Sequence, residues 1–228
     1  MIAIDGPVGS GKTTVGRLLA ERLGFSCVDS GLFYRAAAWA LLREGGSPDD
    51  KQAAIRAAQT LDLRFKPDAS EQHAARAIQK EVDITDALYT PDVEQAVSQI
   101  SRIPEVRRVL LATQRRAISQ GGVVALGRDI GTVVWPEATL KIYLDASLEA
   151  RVQRKLRQRR DLGEDVDVAT VRALLENRDS LDSGRSVAPL RKAADAVAVD
   201  TDDVSAEEVA ARIATMLRDR LNANVGEA

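Results

Sequence analysis

Residues 6–13 read GPVGSGKT and bring three glycines, a lysine and a threonine into eight positions. Gly6, Gly11, Lys12 and Thr13 satisfy G-x-x-x-x-G-K-[ST], the spacing typical of a nucleotide phosphate-binding loop. Glycine lets such a loop turn so that successive backbone N–H groups face phosphate oxygens, and the helix that follows adds the positive end of its dipole. The plainer alternative is a glycine-rich turn with a solvated lysine. The position between an apolar run and a helical pattern favours the phosphate loop.

We therefore predict that the chain binds ATP together with Mg²⁺. Lys12 would place a point charge at the outer phosphates, and the Thr13 hydroxyl would be a metal ligand. The rest of the predicted ATP-binding loop consists of Gly6, Pro7, Val8, Gly9, Ser10, Gly11 and Thr14. This motif alone does not separate a kinase from a nucleotide switch or a motor.

A second candidate anion site follows at residues 29–35, DSGLFYR. The segment comes after an apolar run and opens a helical pattern, so we expect it at the sheet edge that carries the first loop, where ligands bind in open α/β sheets. Ser30, the helix N-terminus and Arg35 could then hold an anion together. Alternatively, Ser30 only caps the helix and Arg35 is solvated. A second phosphate site that faces the first would indicate a phosphotransferase.

Six of the ten residues at 151–160, RVQRKLRQRR, are cationic. Arg151, Arg154 and Lys155 share one helical face. We interpret the run as a mobile lid whose arginines close over the transferring phosphoryl group. The alternatives are a solvated face balanced by the acidic residues just after it, and a nucleic-acid patch, which the absence of interleaved aromatic residues disfavours.

Composition sets wider bounds on the function. The chain has 228 residues, 45% of them hydrophobic, and a net charge of −2, so charge gives no argument for a nucleic-acid or membrane partner. A single cysteine, Cys27, excludes an internal disulfide and favours a buried thiol in a reducing compartment. No run approaches the length of a membrane span, and no leader pattern precedes the first apolar run. We expect a cytoplasmic monomer that binds only small molecules.

Short apolar runs alternate with longer helical patterns along the chain. The predicted core strands are 2–4, 25–28, 123–126, 140–144 and 196–199, with a further strand at 61–65. The predicted helices are 12–23 (ending at Gly24), 31–44, 91–101, 104–119, 147–160, 168–181 and a last one opened by a capping box at Ser205 and Glu208. Residues 222–228 are predicted to be frayed, and His73 to be a surface residue without a role. This alternation predicts the α/β class, with a parallel five-stranded sheet covered by helices on both faces.

The quoted motifs, together with GRDIGTVVWP (127–136) and RDSLDSGRSVAPL (178–190), resemble the bacterial cytidylate kinases, which are nucleoside monophosphate kinases with a phosphate loop. They occur in the same order over nearly the whole chain. GRDIGT combined with D-x-x-R-x-VAPL is far more specific than the first motif. The resemblance implies transfer of the γ-phosphoryl group of ATP to CMP, with dCMP as a second acceptor. It also implies a single kinase domain with a core at 1–35, 98–150 and 166–228, a nucleotide-binding insertion at 36–97 and a lid at 151–165.

The resemblance implies an acceptor site residue by residue. Its cytosine-reading positions fall on Ser98, Arg107 and Asp129, and its ribose-binding positions on Arg178 and Asp182. The acceptor phosphate would meet Ser30, Arg35, Arg128 and Arg185. Arg151 and Arg154 match the lid arginines, so the catalytic set would be Lys12, Arg128, Arg151, Arg154 and Arg185.

The chemistry of these residue types agrees with a cytosine reader. Cytosine donates from its 4-amino group and accepts at N3 and O2, which suits a carboxylate beside a guanidinium. Uracil has an accepting O4 in place of the donating 4-amino group, and a donating N3–H in place of the accepting N3. Such a site should therefore reject uracil strongly. Duller alternatives remain for each residue: Arg178 and Asp182 could form a surface ion pair four residues apart, and Ser98 could be an ordinary helix serine.

One position departs from the resemblance. Many relatives carry an acidic residue just before GRD, where this chain has Leu126. A carboxylate there would support the metal, so the departure leaves open whether Asp29 or Asp129 replaces it through water.

Two rival functions also remain open at this point. One is a phosphate-loop kinase for UMP, dTMP or shikimate, and the other is a nucleotide-dependent switch or ATPase module.

Overall fold

The computed structural model describes residues 1–66, 68, 73–119, 121–161 and 163–226, with side chains described through residue 223. Among these described residues, eight strands form two sheets, β1 Ile2–Asp5, β2 Ser26–Asp29, β3 Leu63–Lys66, β4 Arg76–Gln79, β5 Val82–Asp83, β6 Val123–Gly127, β7 Leu140–Asp145 and β8 Val197–Asp200. The central sheet has the order β2-β6-β1-β7-β8, and all its pairs are parallel. The predicted α/β class and five-stranded parallel sheet are confirmed.

The same part of the chain contains eight α-helices, α1 Lys12–Leu23, α2 Gly31–Arg43, α3 Lys51–Gln59, α4 Pro91–Ile100, α5 Pro104–Ile118, α6 Leu148–Asp161, α7 Val168–Ser183 and α8 Ala206–Gly226. Gly24 ends α1 in the left-handed conformation, with φ of 64°. The predicted capping box is confirmed, since Ser205 and Glu208 exchange backbone and side-chain hydrogen bonds before α8. Within the part of the chain that the structure describes, each helix is too short or too polar to cross a membrane.

Alternation along the central strands separates two apolar layers. Ala3 and Ala125 face α2 and α5 in one cluster, whereas Ile4 and Leu126 face α1 and α8 in the other. Every residue of β1 and β6 is buried, as expected for parallel strands covered on both sides. The carboxyl ends of β1, β2 and β6 therefore meet at one edge, directly before the loops that carry the predicted site.

The insertion contains more regular structure than the sequence predicted. β3, β4 and β5 form an antiparallel three-stranded sheet, of which only β3 was predicted. Helix α3 was also missed, because its buried face consists only of small residues, Ala54, Ala57 and Ala58. A 3₁₀ turn, Asp86–Tyr89, leads into α4.

Two further expectations need correction, and one element was not anticipated. The tail is not frayed through residue 226, because α8 continues to Gly226. His73 is not a plain surface residue: its ring stacks on Tyr89, with centroids 4.2 Å apart. Residues 130–134 form a single π-helical turn that no periodicity indicated, with Trp135 N–H donating to Ile130 O at 2.7 Å.

The predicted boundaries of insertion and lid stay predictions. Helix α6 begins at Leu148, in the predicted core, and ends at Asp161, within the predicted lid. Residues 67 and 69–72 of the predicted insertion, residue 162 of the predicted lid, and residues 227 and 228 of the predicted tail lie outside the described residues.

Candidate active site

The phosphate loop joins β1 to α1 and has a backbone that requires glycine. A side chain at Gly6 would place its Cβ 2.1 Å from the carbonyl oxygen of Leu144. Gly9 and Gly11 have φ of 81° and 88°, in the left-handed region that favours glycine. The loop therefore turns tightly against β7 and leads directly into the N-terminus of α1.

Lys12 lies inside this loop. Its ammonium group donates to the carbonyl oxygens of Gly6 and Pro7 at 2.8 and 2.6 Å and to Ser10 Oγ at 3.3 Å. Burial lowers the pKa of Lys12 well below its usual range, and the nearby Arg128 lowers it further. A phosphate anion beside Lys12 would oppose both effects and favour the charged ammonium.

Asp5, at the carboxyl end of β1, is a site residue that the sequence analysis missed. Its two carboxylate oxygens accept from the backbone N–H groups of Ile130 and Gly131, both at 2.8 Å. Burial raises the pKa of Asp5 to about 6, while these two hydrogen bonds oppose the rise. Asp5 thus fastens the π-helical turn of the GRDIGT segment to the strand before the phosphate loop. Its place at a strand end directly before the loop was the available signal.

Arg107 and Asp129 form a buried ion pair between α5 and the end of β6. Their nitrogen and oxygen lie 2.6 Å apart, and the side chains are 6% and 8% exposed. Arg107 also donates to Ser101 O at 3.2 Å and lies over the ring of Tyr34, 5.2 Å from its centroid. Burial raises the pKa of Asp129, whereas the Arg107 charge and hydrogen bond lower it. One carboxylate oxygen of Asp129, Oδ2, is therefore engaged by Arg107.

Asp182 is the centre of a second cluster. The Asp182 side chain is 1% exposed, which excludes the surface ion pair considered for it. It accepts from Arg128 Nε at 2.9 Å and from Arg185, and Arg178 Nε lies 3.8 Å away. Arg178 in turn donates to Ser98 Oγ at 2.6 Å, which ties α7 to α4.

Arg35 is anchored rather than solvated. Its guanidinium donates to Leu88 O at 3.0 Å and to Glu94 at 3.3 Å, and it lies over the ring of Tyr89, 4.6 Å from the centroid. Ser30 is buried and makes no side-chain capping bond with α2, so the simple capping alternative is wrong.

Arg151 and Arg154, near the start of α6, contact the phosphate loop itself. Arg151 is buried, pairs with Asp179 at 2.7 Å and donates to Val8 O at 3.3 Å. Arg154 donates to Gly9 O at 3.4 Å and to Thr201. A fully solvated face is therefore wrong for these two residues, and movement of a lid remains a prediction.

The arginines around Asp182 also repel one another. Burial lowers the pKa of Arg178 to about 10, and Arg128 and Arg35 lower it further. Burial likewise lowers the pKa of Arg185 to about 10, with Arg107 adding to the effect. Converging cations of this kind favour an anionic ligand.

A cavity of about 710 Å³ beside β2 and β3 is lined by none of the arginines that surround Asp182.

The donor set fits a metal held mainly by phosphates. Thr13 is half-buried at the first turn of α1. Asp29, next to Leu126 in register, uses one oxygen for Gly31 N–H at 2.8 Å. Leu126 packs under α1, where a Cβ at Gly16 would lie 2.5 Å from Leu126 Cδ2. The described residues contain no cluster of three metal-ligating side chains, and Mg²⁺ commonly takes one or two protein oxygens plus phosphates and water.

A parallel sheet of this order, a phosphate loop after its central strand and a second set of cations at the same edge define a phosphate-loop phosphotransferase. Comparison with known proteins then gives the family. The chain belongs to the cytidylate kinase family, whose model, described as "Cytidylate kinase", matches residues 2–219. ATP is accordingly the phosphoryl donor.

Individual relatives agree over the full length. The chain is 42% identical to a cytidylate kinase of Carboxydothermus hydrogenoformans over 93% of this chain and 94% of that protein. It is 40% identical to a cytidylate kinase of Geobacter sulfurreducens over 99% of this chain and 96% of that protein. The crystal structure of an uncharacterized protein from Eubacterium ventriosum matches 96% of this chain and 97% of the other chain, with a TM-score of 0.54. At 14% sequence identity, this similarity concerns the fold alone.

Proposed function

We propose that this chain transfers the γ-phosphoryl group of ATP to the phosphate of CMP, giving ADP and CDP, and that dCMP is a second acceptor. The observation that carries the proposal is a pair of anion-binding sets at one sheet edge, the phosphate loop and the arginines around Asp182, with the buried Arg107–Asp129 pair beside the second. Membership of the cytidylate kinase family supports CMP as the acceptor.

The phosphate loop would hold ATP. Its backbone N–H groups and the α1 dipole stabilise the phosphate charge, and Lys12 exchanges its carbonyl partners for the outer phosphates. Arg151 and Arg154 already contact Val8 and Gly9 of this loop, so they are in position to neutralise charge on the transferring group.

The second set would hold the acceptor. Arg35, Arg128 and Arg185 would meet its phosphate. Arg185 Nε is buried without a hydrogen-bond partner among the described residues, which supports a ligand at this point. Arg178 and Asp182 would bind the ribose.

The base would lie against the Arg107–Asp129 pair. The carboxylate accepts from the cytosine amine, and the guanidinium donates to N3 and O2. Uracil would place its O4 against the carboxylate and its N3–H against the guanidinium, so the enzyme should discriminate strongly against UMP. Ser98, bonded to Arg178, would complete the base contact from α4.

The reaction needs no covalent intermediate with the protein. An oxygen of the acceptor phosphate attacks the γ-phosphorus in line, the bond to the β–γ bridging oxygen breaks, and ADP leaves with that electron pair. Catalysis would come from positioning and from cations that neutralise spread charge. Thr13 and Asp29 would hold Mg²⁺, which would neutralise phosphate charge during the transfer.

We further propose a cytoplasmic monomer without a nucleic-acid partner. The partly buried thiol of Cys27, whose pKa burial raises to about 12, suits a reducing compartment. Size-exclusion chromatography with light scattering tests the monomer.

An acceptor panel tests the function. ADP formation would be measured with ATP and Mg²⁺ across CMP, dCMP, UMP, AMP, GMP, dTMP and shikimate. Strong turnover with CMP and dCMP, with UMP far behind, is the expected result. Turnover on another acceptor would keep the kinase but discard the base-reading roles of Ser98, Arg107 and Asp129. Slow hydrolysis indifferent to every acceptor would instead favour the switch or ATPase alternative.

A further inference from the structure

Glu94 lies on α4 between two arginines that belong to different parts of the site. One carboxylate oxygen accepts from Arg35 Nη2 at 3.3 Å, and the other accepts from Arg159 Nη2, also at 3.3 Å. Arg35 stands on α2 beside the proposed acceptor phosphate, whereas Arg159 is on the basic helix α6. A single carboxylate therefore joins the acceptor site to the helix that reaches the phosphate loop.

The face of α4 that carries Glu94 is the face turned to the acceptor site. Ser98, one turn further along, contacts Arg178. Burial lowers the pKa of Arg178 and of Lys155, and the charge of Glu94 opposes both changes, which places Glu94 within a wider group of cations. Glu94 thus partly neutralises a cluster suited to a phosphate anion.

We propose that Glu94 is an internal competitor for the acceptor phosphate and so sets the affinity of the enzyme for its acceptor. Without acceptor, the carboxylate occupies Nη2 of Arg35, while Nη1 donates to Leu88 O. When a nucleoside monophosphate binds, its phosphate takes over Arg35, and Glu94 keeps Arg159 on α6. This inference rests on the proposed function, because the competing ligand is the CMP phosphate.

The two possible roles of Glu94 predict opposite changes in CMP affinity when it is replaced. If Glu94 competes with the phosphate, Glu94→Gln removes a negative charge close to a dianion and strengthens CMP binding. If Glu94 only holds Arg35 in place, the same change weakens CMP binding. The direction of the change therefore separates a competitor from a purely structural partner.

The test is calorimetric titration of the full chain and its variants with CMP and with cytidine, which lacks the phosphate. For Glu94→Gln we expect the Kd for CMP to fall about fivefold, since partly exposed charge pairs are worth up to about 1 kcal/mol. The Kd for cytidine should not change. The gain for CMP should shrink at about 0.5 M salt, where the Debye length is only a few ångströms.

Glu105→Gln is the matched control. Glu105 has similar exposure, 35% against 31% for Glu94, and pairs with Lys51 at 2.8 Å in the first turn of α5. This variant should bind CMP like the wild type. Glu94→Ala provides a second variant with the same expected direction, and thermal melting shows that each variant is folded.

The outcomes separate this inference from the proposed function. A Kd for CMP that is unchanged or raised in Glu94→Gln, with CMP bound normally by the wild type, overturns the inference alone. An equal gain for CMP and cytidine also overturns it, because the effect would not depend on the phosphate. Failure of the wild type to bind CMP would overturn the proposed function and this inference together.

Discussion

Replacement of Asp129 by asparagine should weaken the choice of cytosine over uracil. Asp129 is 8% exposed and lies 2.6 Å from Arg107, so its carboxylate is a desolvated, oriented acceptor. Asparagine keeps the size but loses the charge, and its amide can present either an oxygen or an N–H group to the base. The variant should therefore accept the cytosine amine less well and tolerate the uracil O4 better.

The magnitude follows from the loss of a charged hydrogen bond. Such a bond contributes about 1.5–3 kcal/mol, so kcat/KM for CMP should fall about ten- to a hundredfold. Because UMP should lose nothing or gain slightly, the CMP to UMP ratio of kcat/KM should fall by the same factor of about ten to a hundred, or by slightly more. Asp129→Ala leaves Arg107 buried and unpaired, and should lower the free energy of unfolding by about 3–5 kcal/mol.

The assay is steady-state kinetics with both acceptors, accompanied by urea unfolding. Asp195→Asn is a suitable control, since Asp195 pairs with the buried Lys141 at 2.8 Å but belongs to no proposed site. If Asp129→Asn lowers kcat/KM equally for CMP and UMP, Asp129 only positions Arg107, and its base-reading role is wrong.

Other changes test the donor loop, the buried carboxylate and a helix end. Lys12→Ala should lower kcat about 10²–10³-fold in the same kinetic assay, because it removes a preorganised charge from the phosphates; retention of most activity would contradict its role. The pKa of Asp5 in the folded protein is about 6, against an ordinary value of 3.8. The contribution of Asp5 to the free energy of unfolding is therefore present below pH 4 and is lost as pH rises to 6. Urea unfolding should show a loss of about 3 kcal/mol relative to Asp5→Asn over this range. An equal pH dependence of wild type and variant would refute that shift. Ser205→Ala should cost about 1 kcal/mol of unfolding free energy by removing the cap of α8, and an unchanged urea midpoint would show that Glu208 caps the helix alone.

The local parts of the fold could be predicted because each depends on neighbouring residues. The phosphate loop follows from glycine conformations and a lysine at fixed spacing, and the end of α1 follows from Gly24. The capping box at Ser205 needs only Glu208, three residues away. Alternation of apolar runs with helices gave the parallel sheet, since strands buried on both faces are apolar throughout.

Elements without a local pattern were missed. The fully buried residues of α3 are alanines, whose small side chains give only a weak hydrophobic signal, and β5 has only two residues. The π-helical turn at 130–134 is held by Asp5, 125 residues away from Ile130, so no short window of sequence contains its cause.

Residue types and their order along the chain specify the available chemistry: a phosphate loop, clustered arginines, and motifs whose order places the chain among nucleotide kinases. Tertiary structure decided which charges meet. It buried Asp182 among three arginines, engaged Asp129 with Arg107, and placed Glu94 between Arg35 and Arg159. Those pairings join residues far apart in the chain, and their strength depends on burial, which lowers the local dielectric and is set only when the sheet edge and helices pack together.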